Sequence, residues 1–401
     1  MTPVIRSAVA TLFVAGLALS CGPASPAANT SPSAVHSSVV GKASPPPPQP
    51  GPFLVDVSWI SNQAGWALAA VECSGQKLCA RLYNTVDGGH HWQRLPDPPG
   101  CLTAACSQGL STSASISKVT FATSNIGYLY GSGFYVTDDG GSSWTQVPSS
   151  PVENVRTSGG MVYRLTYDHT GCPGPCQRTL EVAAAGSSAW RPLLSVRPNP
   201  GNTTASAQVI SQAADLYVPM YGNQANGAAA PQTTVVFRSL DGGTTWQQRA
   251  DPCGQAGANE YDAVAFAAAE NGFLASLCSP RSASGQGSYV ITSIDAGNTW
   301  GPRHSVLAPV GLIAAASSTV LAVASPPVSG SGPYTYRLLA SADGGATWST
   351  SISDPEVLAV NAPGIAFLGF QDGKAGRWIG DATAIWSTDD GGTHWLRRQF
   401  P

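Results

Sequence analysis

The chain has 401 residues and a formal net charge of −3, with 43% hydrophobic and only 11% charged residues, the latter against roughly 25% in an average soluble domain. Sixteen of its 20 basic residues are Arg and no acidic or basic run occurs, which excludes a basic nucleic-acid surface and electrostatic steering to an anionic membrane face. Gly (44) and Pro (32) supply 76 of the 401 residues, below the roughly 25 to 30% that marks disorder throughout a chain.

Taken in chain order, Arg6 is the only charge before an apolar run over 8–19. That is the charged and apolar pattern of a secretory signal, and at about a dozen residues it is too short to span a bilayer comfortably. It ends in Leu17-Ala18-Leu19-Ser20-Cys21. This stretch resembles the bacterial lipobox, although Ala18 stands where that motif usually has Leu. The resemblance implies a lipoprotein signal over 1–21, lipidation of Cys21, and an extracytoplasmic protein held to the cell membrane by its N-terminal lipid. Residues 22–52 are rich in Ala, Ser and Pro, with four consecutive prolines at 45–48. Such a segment cannot bury enough apolar surface to order itself, and it is expected to be a disordered, semi-extended tether rising about 3 Å per residue.

Nine Cys is an odd number for an exported protein. With Cys21 lipidated, eight remain: Cys73, Cys79, Cys101, Cys106, Cys172, Cys176, Cys253 and Cys278. Eight Cys allow about 105 connectivities. Their spacing favours 73 with 79, 101 with 106 and 172 with 176, and by elimination 253 with 278, in an oxidising compartment.

Beyond the tether, the pattern Ser/Thr-x-Asp-x-Gly-x-x-Trp, here called the box, occurs at 85–92, 137–144, 239–246, 293–300, 341–348 and 388–395. Its paired residues are Asp87 and Trp92, Asp139 and Trp144, Asp241 and Trp246, Asp295 and Trp300, Asp343 and Trp348, and Asp390 and Trp395. An eroded copy at 183–190 keeps only Trp190, and with it the Trp period is near 50 residues. Strand-like residues precede each box, and a short polar strand such as Gln93-Arg94-Leu95 follows. The box suits a hairpin turn: glycine permits positive φ, the carboxylate and hydroxyl accept turn N–H groups, and Trp covers the apolar side. Upstream of several boxes lies an alternating strand, a turn and Gly-aromatic, as in Val119-Thr120-Phe121 with Gly127-Tyr128.

The box is identified as the Asp-box, or BNR, repeat. Six copies at a blade-sized period resemble the Asp-box β-propellers, most closely the photosystem II assembly and stability factor-like propellers and more distantly the sialidase type. The resemblance implies an all-β fold over 53–401, a seven-bladed β-propeller of four-stranded antiparallel blades. Photosystem assembly itself is not implied, since nothing in the chain indicates a photosynthetic host.

In such blades the turns joining strands one to two and three to four share one face, so the boxes mark that face. The irregular segments 72–78, 96–115, 168–177, 221–232, 279–288 and 325–333 mark the other, and the paired Cys fall in or beside them. Loops stapled on one face of a rigid scaffold are what a binding surface needs. Blades two and seven have short loops there, at 131–133 and 381–383, so a raised wall is expected over blades three to six. Candidate contacts are Tyr167, Asp168, His169, Tyr221, Glu260, Tyr261, Arg281, Tyr334 and Tyr336, because aromatics and Arg favour interface cores and sugar stacking. Arg81 and Arg337 each stand six residues before a box Asp and are expected to pair at blade edges.

A sialidase-type site needs an Arg triad, a Tyr nucleophile with a Glu, and an Asp acid/base. The Arg-Ile-Pro expected near the first blade is absent, with Phe53-Leu54-Val55-Asp56-Val57 in its place. Only six Glu exist, and the repeated Asp residues are used in turns, so a carboxylate pair for glycoside hydrolysis is hard to nominate. His90-His91 occupy variable box positions, and neither they nor the Asp138-Asp139 and Asp389-Asp390 pairs make a metal site. No cofactor and no metal is expected. The expectation is a monomeric interaction platform whose partner is an envelope protein or a glycan, with a carbohydrate-binding or sialidase-like protein as the alternative.

Overall fold

A computed structural model describes residues 51–73, 77–102, 115–168, 177–197, 206–221, 234–255, 261–280, 287–306, 311–324, 336–354, 367–380 and 383–401. Blade 1 is β1 (Phe53–Trp59), β2 (Gly65–Cys73), β3 (Lys77–Thr85) and β4 (Gln93–Arg94). Blade 2 adds a two-residue strand, β5 (Cys101–Leu102), parallel to β6 (Ser115–Phe121), followed by β7 (Gly127–Gly131), β8 (Phe134–Thr137) and β9 (Thr145–Gln146). Blade 3 is β10 (Val152–Ser158), β11 (Met161–Tyr167), β12 (Arg178–Ala184) and β13 (Arg191–Val196). In blade 4 the first strand is broken into β14 (Ser206–Ala207) and β15 (Ile210–Gln212), before β16 (Asp215–Tyr221), β17 (Val235–Ser239) and β18 (Gln247–Ala250). One helical turn, α1 (Pro252–Gln255), leads to blade 5: β19 (Tyr261–Ala269), β20 (Phe273–Pro280), β21 (Ser288–Ser293) and β22 (His304–Val306). Blade 6 is β23 (Leu312–Ala315), β24 (Leu321–Ala324), β25 (Tyr336–Ser341) and β26 (Ser349–Asp354). Blade 7 is β27 (Phe367–Phe370), β28 (Gly376–Ile379), β29 (Ala384–Thr388) and β30 (Leu396–Gln399). The fold is the seven-bladed, all-β propeller expected from the resemblance; apart from the parallel β5 of blade 2 and the broken first strand of blade 4, the strands of each blade are antiparallel and paired in sequence order.

The Gly-aromatic phrase has a steric cause. The aromatic residue that ends a first strand lies across the glycine that begins the second, as Trp59 does with Gly65, Phe121 with Gly127 and Phe370 with Gly376. A Cβ on Gly127 would stand 2.5 Å from the Phe121 ring and one on Gly376 2.7 Å from Phe370, so only glycine admits the ring.

The core lies between blades. Seven buried hydrophobic clusters each fill one inter-blade gap, for example Leu68, Leu82, Phe121 and Leu129 between blades 1 and 2. The gap between blades 7 and 1 is filled in the same way, by Leu54, Val57, Ile379, Ile385 and Phe400. Among the described residues no strand crosses that gap. Phe400 instead sets its ring edge-on to Tyr83 and Trp92, at centroid distances of 5.2 and 5.4 Å. Polar side chains of the inner strands also reach across gaps: Ser58 Oγ accepts the Phe121 N–H at 2.8 Å and Asn154 Oδ1 accepts the Val209 N–H at 3.2 Å.

Candidate functional site

The six boxes share one hydrogen-bond plan. In blade 2, Thr137 Oγ1 donates to Asp139 Oδ1 at 2.8 Å and accepts the buried Gly141 N–H at 3.0 Å. Asp139 in turn accepts the Ser143 N–H and hydroxyl. That hydroxyl is the largest influence holding the Asp139 carboxyl down at about 2, followed by the Ser143 N–H. Asp241 and Asp343 are held at about 2 chiefly by the hydroxyls of Thr245 and Thr347. His91 takes the Ser143 position in blade 1, with Nδ1 2.6 Å from Asp87 Oδ2.

Each box is also tied to the turn between strands one and two of its own blade. The donor N–H groups are those of Gly88, Gly140, Gly242, Ala296, Gly344 and Gly391, and the acceptors are the carbonyls of Gln63, Asn125, Ala214, Gly272, Thr319 and Lys374. One face of the ring is therefore a closed rim of stitched turns, and strand direction places the segments joining strands two to three and blade to blade on the opposite face.

Two disulfides are seen on that opposite face. Cys73–Cys79 closes the connection between β2 and β3, and Cys253–Cys278 ties α1 to the second strand of blade 5, with Cα separations of 5.9 and 5.8 Å. Cys101 is also disulfide-bonded, while Cys21, Cys106, Cys172 and Cys176 lie outside the described residues. Beside Cys253, the buried Asp251 accepts the Cys253 N–H at 2.8 Å, and burial pushes its carboxyl up to about 6.

Of the candidate contact residues, Tyr167 ends β11 opposite Arg178. Arg178 donates through Nε to Glu153 Oε2 at 2.8 Å, and Glu153 Oε1 accepts the Ala207 N–H of blade 4. Asp168 follows at the start of the loop, its N–H bonded to the Gln177 carbonyl. Tyr221 and Tyr261 both pack on the cluster between blades 4 and 5. The Tyr221 hydroxyl donates to Gln208 Oε1 at 3.1 Å and its ring lies 6.1 Å from Phe266. Burial pushes its phenol above the ordinary range. Tyr261 sits 4.8 Å from Tyr289. His169, Glu260, Arg281 and Tyr334 lie outside the described residues, as does the side chain of Tyr336, which begins β25. Arg81 pairs with Asp97 at 2.9 Å at the edge of blade 1, as its position suggests.

The inner strands enclose an axial cavity of about 180 Å³ that the motifs did not reveal. Its wall has two unlike arcs. Blades 1 to 4 contribute Asp56, Lys118, Thr120, Tyr130, Asn154, Arg156 and Gln208, with Val57 and Val119 among them, whereas blades 5 to 7 contribute only the apolar Ala265, Phe266, Leu312, Ile313, Phe367 and Leu368 of the described residues. Asp56 accepts the Val119 N–H at 2.8 Å and Lys118 Nζ at 3.3 Å. Burial is the largest influence on Asp56 and raises its carboxyl, against the opposing pull of Lys118. Lys118 is raised, first by the Asp56 charge. Tyr130 is raised by burial, with its hydroxyl 3.4 Å from Thr120. Arg156 spends one donor, Nη1, on the Val155 carbonyl at 3.1 Å.

An acid, a Tyr and an Arg thus line one cavity, but not in the arrangement glycoside hydrolysis needs. Among the described residues Asp56 is the single carboxylate on the wall and Arg156 the single Arg. The Tyr130 phenol is shifted away from ionisation, the wrong direction for an activated nucleophile. A second cavity, of about 440 Å³, lies on the box face where blades 7 and 1 meet, lined among others by Arg377, Arg398, His90 and Asp389.

No family model and no curated protein matches the chain. Solved structures match it in fold. YCF48 from Cyanidioschyzon merolae aligns over 87% of this chain and 96% of its own, at 13% identity and a TM-score of 0.48. An acylaminoacyl peptidase from Pyrococcus horikoshii aligns over 88% of this chain and 52% of its own, at 8% identity and a TM-score of 0.51. An oligogalacturonate lyase in complex with manganese aligns over 81% and 86%, at 8% identity and a TM-score of 0.52. At such identities the likeness is one of fold and carries no chemistry.

Proposed function

We propose that this chain is an exported, lipid-anchored, non-enzymatic propeller that serves as an interaction platform for a protein of the cell envelope. The observation that supports the reading best is the inequality of the two faces. One is a rim of turns whose polar groups are spent on one another. The other carries the long connections, with disulfides at Cys73–Cys79 and Cys253–Cys278 holding their roots. Rigidly rooted loops lower the ordering cost of binding, which favours recognition of a folded partner. The signal pattern and Cys21 supply the anchor, and 22–52 the spacer.

The test is in-cell crosslinking and recovery of the full lipoprotein beside a variant with Tyr167, His169 and Arg281 all replaced by Ala. An envelope protein recovered by the wild type and lost in the variant supports the platform and locates its face. Recovery of no protein, together with turnover of glycoside substrates, would favour the carbohydrate reading instead. Cys21→Ser is expected to release the protein from the membrane fraction and to abolish metabolic labelling by palmitate; retention would remove the anchor from the proposal.

A further inference from the structure

The axial cavity is divided by chemistry in a way that structural packing alone does not require. Seven propeller blades can meet at their inner strands through apolar residues throughout, yet here one arc is polar and carries three charged side chains. Two of them answer each other: Asp56 has one oxygen on the Val119 N–H and the other on Lys118. The third, Arg156, has no carboxylate within ion-pair distance among the described residues, and a single hydrogen bond, from Nη1 to its neighbour's carbonyl, leaves Nε and Nη2 without protein acceptors. Opposite it stand Ile313, Phe367 and Leu368, which have no polar side-chain group to offer.

We infer that the axial cavity binds a small amphipathic monoanion, with its carboxylate at Arg156 and its hydrocarbon body against the arc of blades 5 to 7. A guanidinium facing a confined space is best completed by a planar, two-oxygen anion, to which it can donate in parallel through Nε and Nη2. A cation would meet net positive charge, because the Lys118–Asp56 pair cancels and Arg156 does not. A polyhydroxylated acid would find no side-chain partner for its hydroxyls at Ile313, Phe367 and Leu368, and the hydroxyls left unpaired there carry a desolvation cost. The volume of about 180 Å³ is below the roughly 300 to 1,000 Å³ of drug-sized sites, and fits a short-chain or single-ring carboxylate. This site is separate from the outer loops, so it stands or falls independently of the platform reading.

The test is calorimetric and NMR titration of the mature protein with hexanoate, beside hexylamine, hexanamide and gluconate. Hexanoate is expected to bind saturably with a dissociation constant on the order of 1 mM, the range its size permits, and at least about tenfold tighter than the other three. Arg156→Gln is expected to weaken hexanoate at least about tenfold and Arg156→Lys to restore part of it. Leu368→Asn is expected to weaken hexanoate while leaving acetate unchanged. Thermal unfolding of each variant reports whether the ring is intact, and the hexanoate-to-hexanamide ratio within one protein is independent of folded fraction. Equal affinity for hexylamine or gluconate, full binding by a folded Arg156→Gln protein, or no saturation by hexanoate would overturn the proposal.

Discussion

Arg377 of blade 7 lies over the ring of Trp59 in blade 1, with its guanidinium carbon 4.5 Å from the ring centroid, and donates through Nη2 to the Asn62 carbonyl at 2.8 Å. It is 4% exposed, and burial depresses its pKa, with the nearby Arg398 adding to the effect. The contact spans the junction that closes the ring, where no strand is shared among the described residues. Arg377→Ala removes a cation–π contact and the charge-assisted hydrogen bonds to the Asn62 and Gly376 carbonyls, so a loss of about 2 to 4 kcal/mol is expected in chemical denaturation. Arg377→Lys should recover less than half of it, since an ammonium cannot both stack and fork. A loss below about 1 kcal/mol for the Ala variant would mean that the apolar cluster closes the ring unaided.

Ala296 occupies the box position that is glycine in the other five complete boxes and takes the same left-handed backbone, with φ of 57° against 67 to 75° for Gly88, Gly140, Gly242, Gly344 and Gly391. It is held there from two sides: its N–H donates to the Gly272 carbonyl at 2.8 Å and its carbonyl accepts Arg238 Nη1 at 2.6 Å. A Cβ in this region costs about 1 kcal/mol. Ala296→Gly is therefore expected to raise stability by about 0.5 to 1 kcal/mol, with the gain reduced by the freer unfolded chain, and Gly344→Ala to lower it by a similar amount. Opposite signs in one denaturation series are the result that checks the assignment.

Asp251 supplies a pH dependence. Its folded-state carboxyl, raised to about 6 from an ordinary 3.8, makes the native state bind more protons than the unfolded chain across that interval. The stability contributed by Asp251 is then fully present below about pH 4, is lost as pH rises towards 6, and is level above. Asp251→Asn should flatten this decline. The box carboxylates act in the other direction and lower: Asp139, at about 2 in the fold, contributes stability above about pH 4 that is lost as pH falls towards 2. Unfolding free energies from pH 3 to 7 for the wild type and Asp251→Asn separate the two windows; parallel curves would show that Asp251 is not the group responsible.

The two disulfides should differ in worth. Cys253–Cys278 closes a separation of 25 residues and Cys73–Cys79 one of 6. Restriction of the unfolded chain gives about 3.5 kcal/mol for the longer loop and about 2 for the shorter. Replacing Cys253 and Cys278 together by Ala should thus cost more than replacing Cys73 and Cys79. It should also loosen α1, whose Cys253 carbonyl accepts the Tyr289 hydroxyl at 3.1 Å, and hydrogen exchange at the Cys253 amide would register this.

What could be read from the chain was whatever repeats along it. The box and the Gly-aromatic phrase are local chemistry reiterated at one period, so the number of repeats was legible from spacing, and the resemblance to Asp-box propellers implied the strand pairing and the division into two faces. The axial cavity was not legible for the complementary reason. Asp56, Lys118, Arg156 and Gln208 share neither residue type nor motif, and only closure of the ring brings them together. The usable signal was fainter, a charged residue near the middle of each of three inner strands, Asp56 in β1, Lys118 in β6 and Arg156 in β10. For Tyr221 the sequence suggested a contact residue from an aromatic beside a long loop, and its hydrogen bond to Gln208 and its ring contact with Phe266 were not legible there.

The order of strands within a blade also decides how the ring carries load. Phe53 opens the innermost strand of blade 1, flanked by its neighbours around the axis, whereas Leu396–Gln399 form the outermost strand of blade 7. Tension applied at Phe53 enters at the most enclosed part of the molecule and must shear the ladder from Phe53 to Trp59 against β2. Tension applied at Pro401 must first draw Phe400 out of the cluster between blades 7 and 1, and then meets a short outer strand that can peel. The ring is expected to be firmer when held by its front end than when pulled from its back.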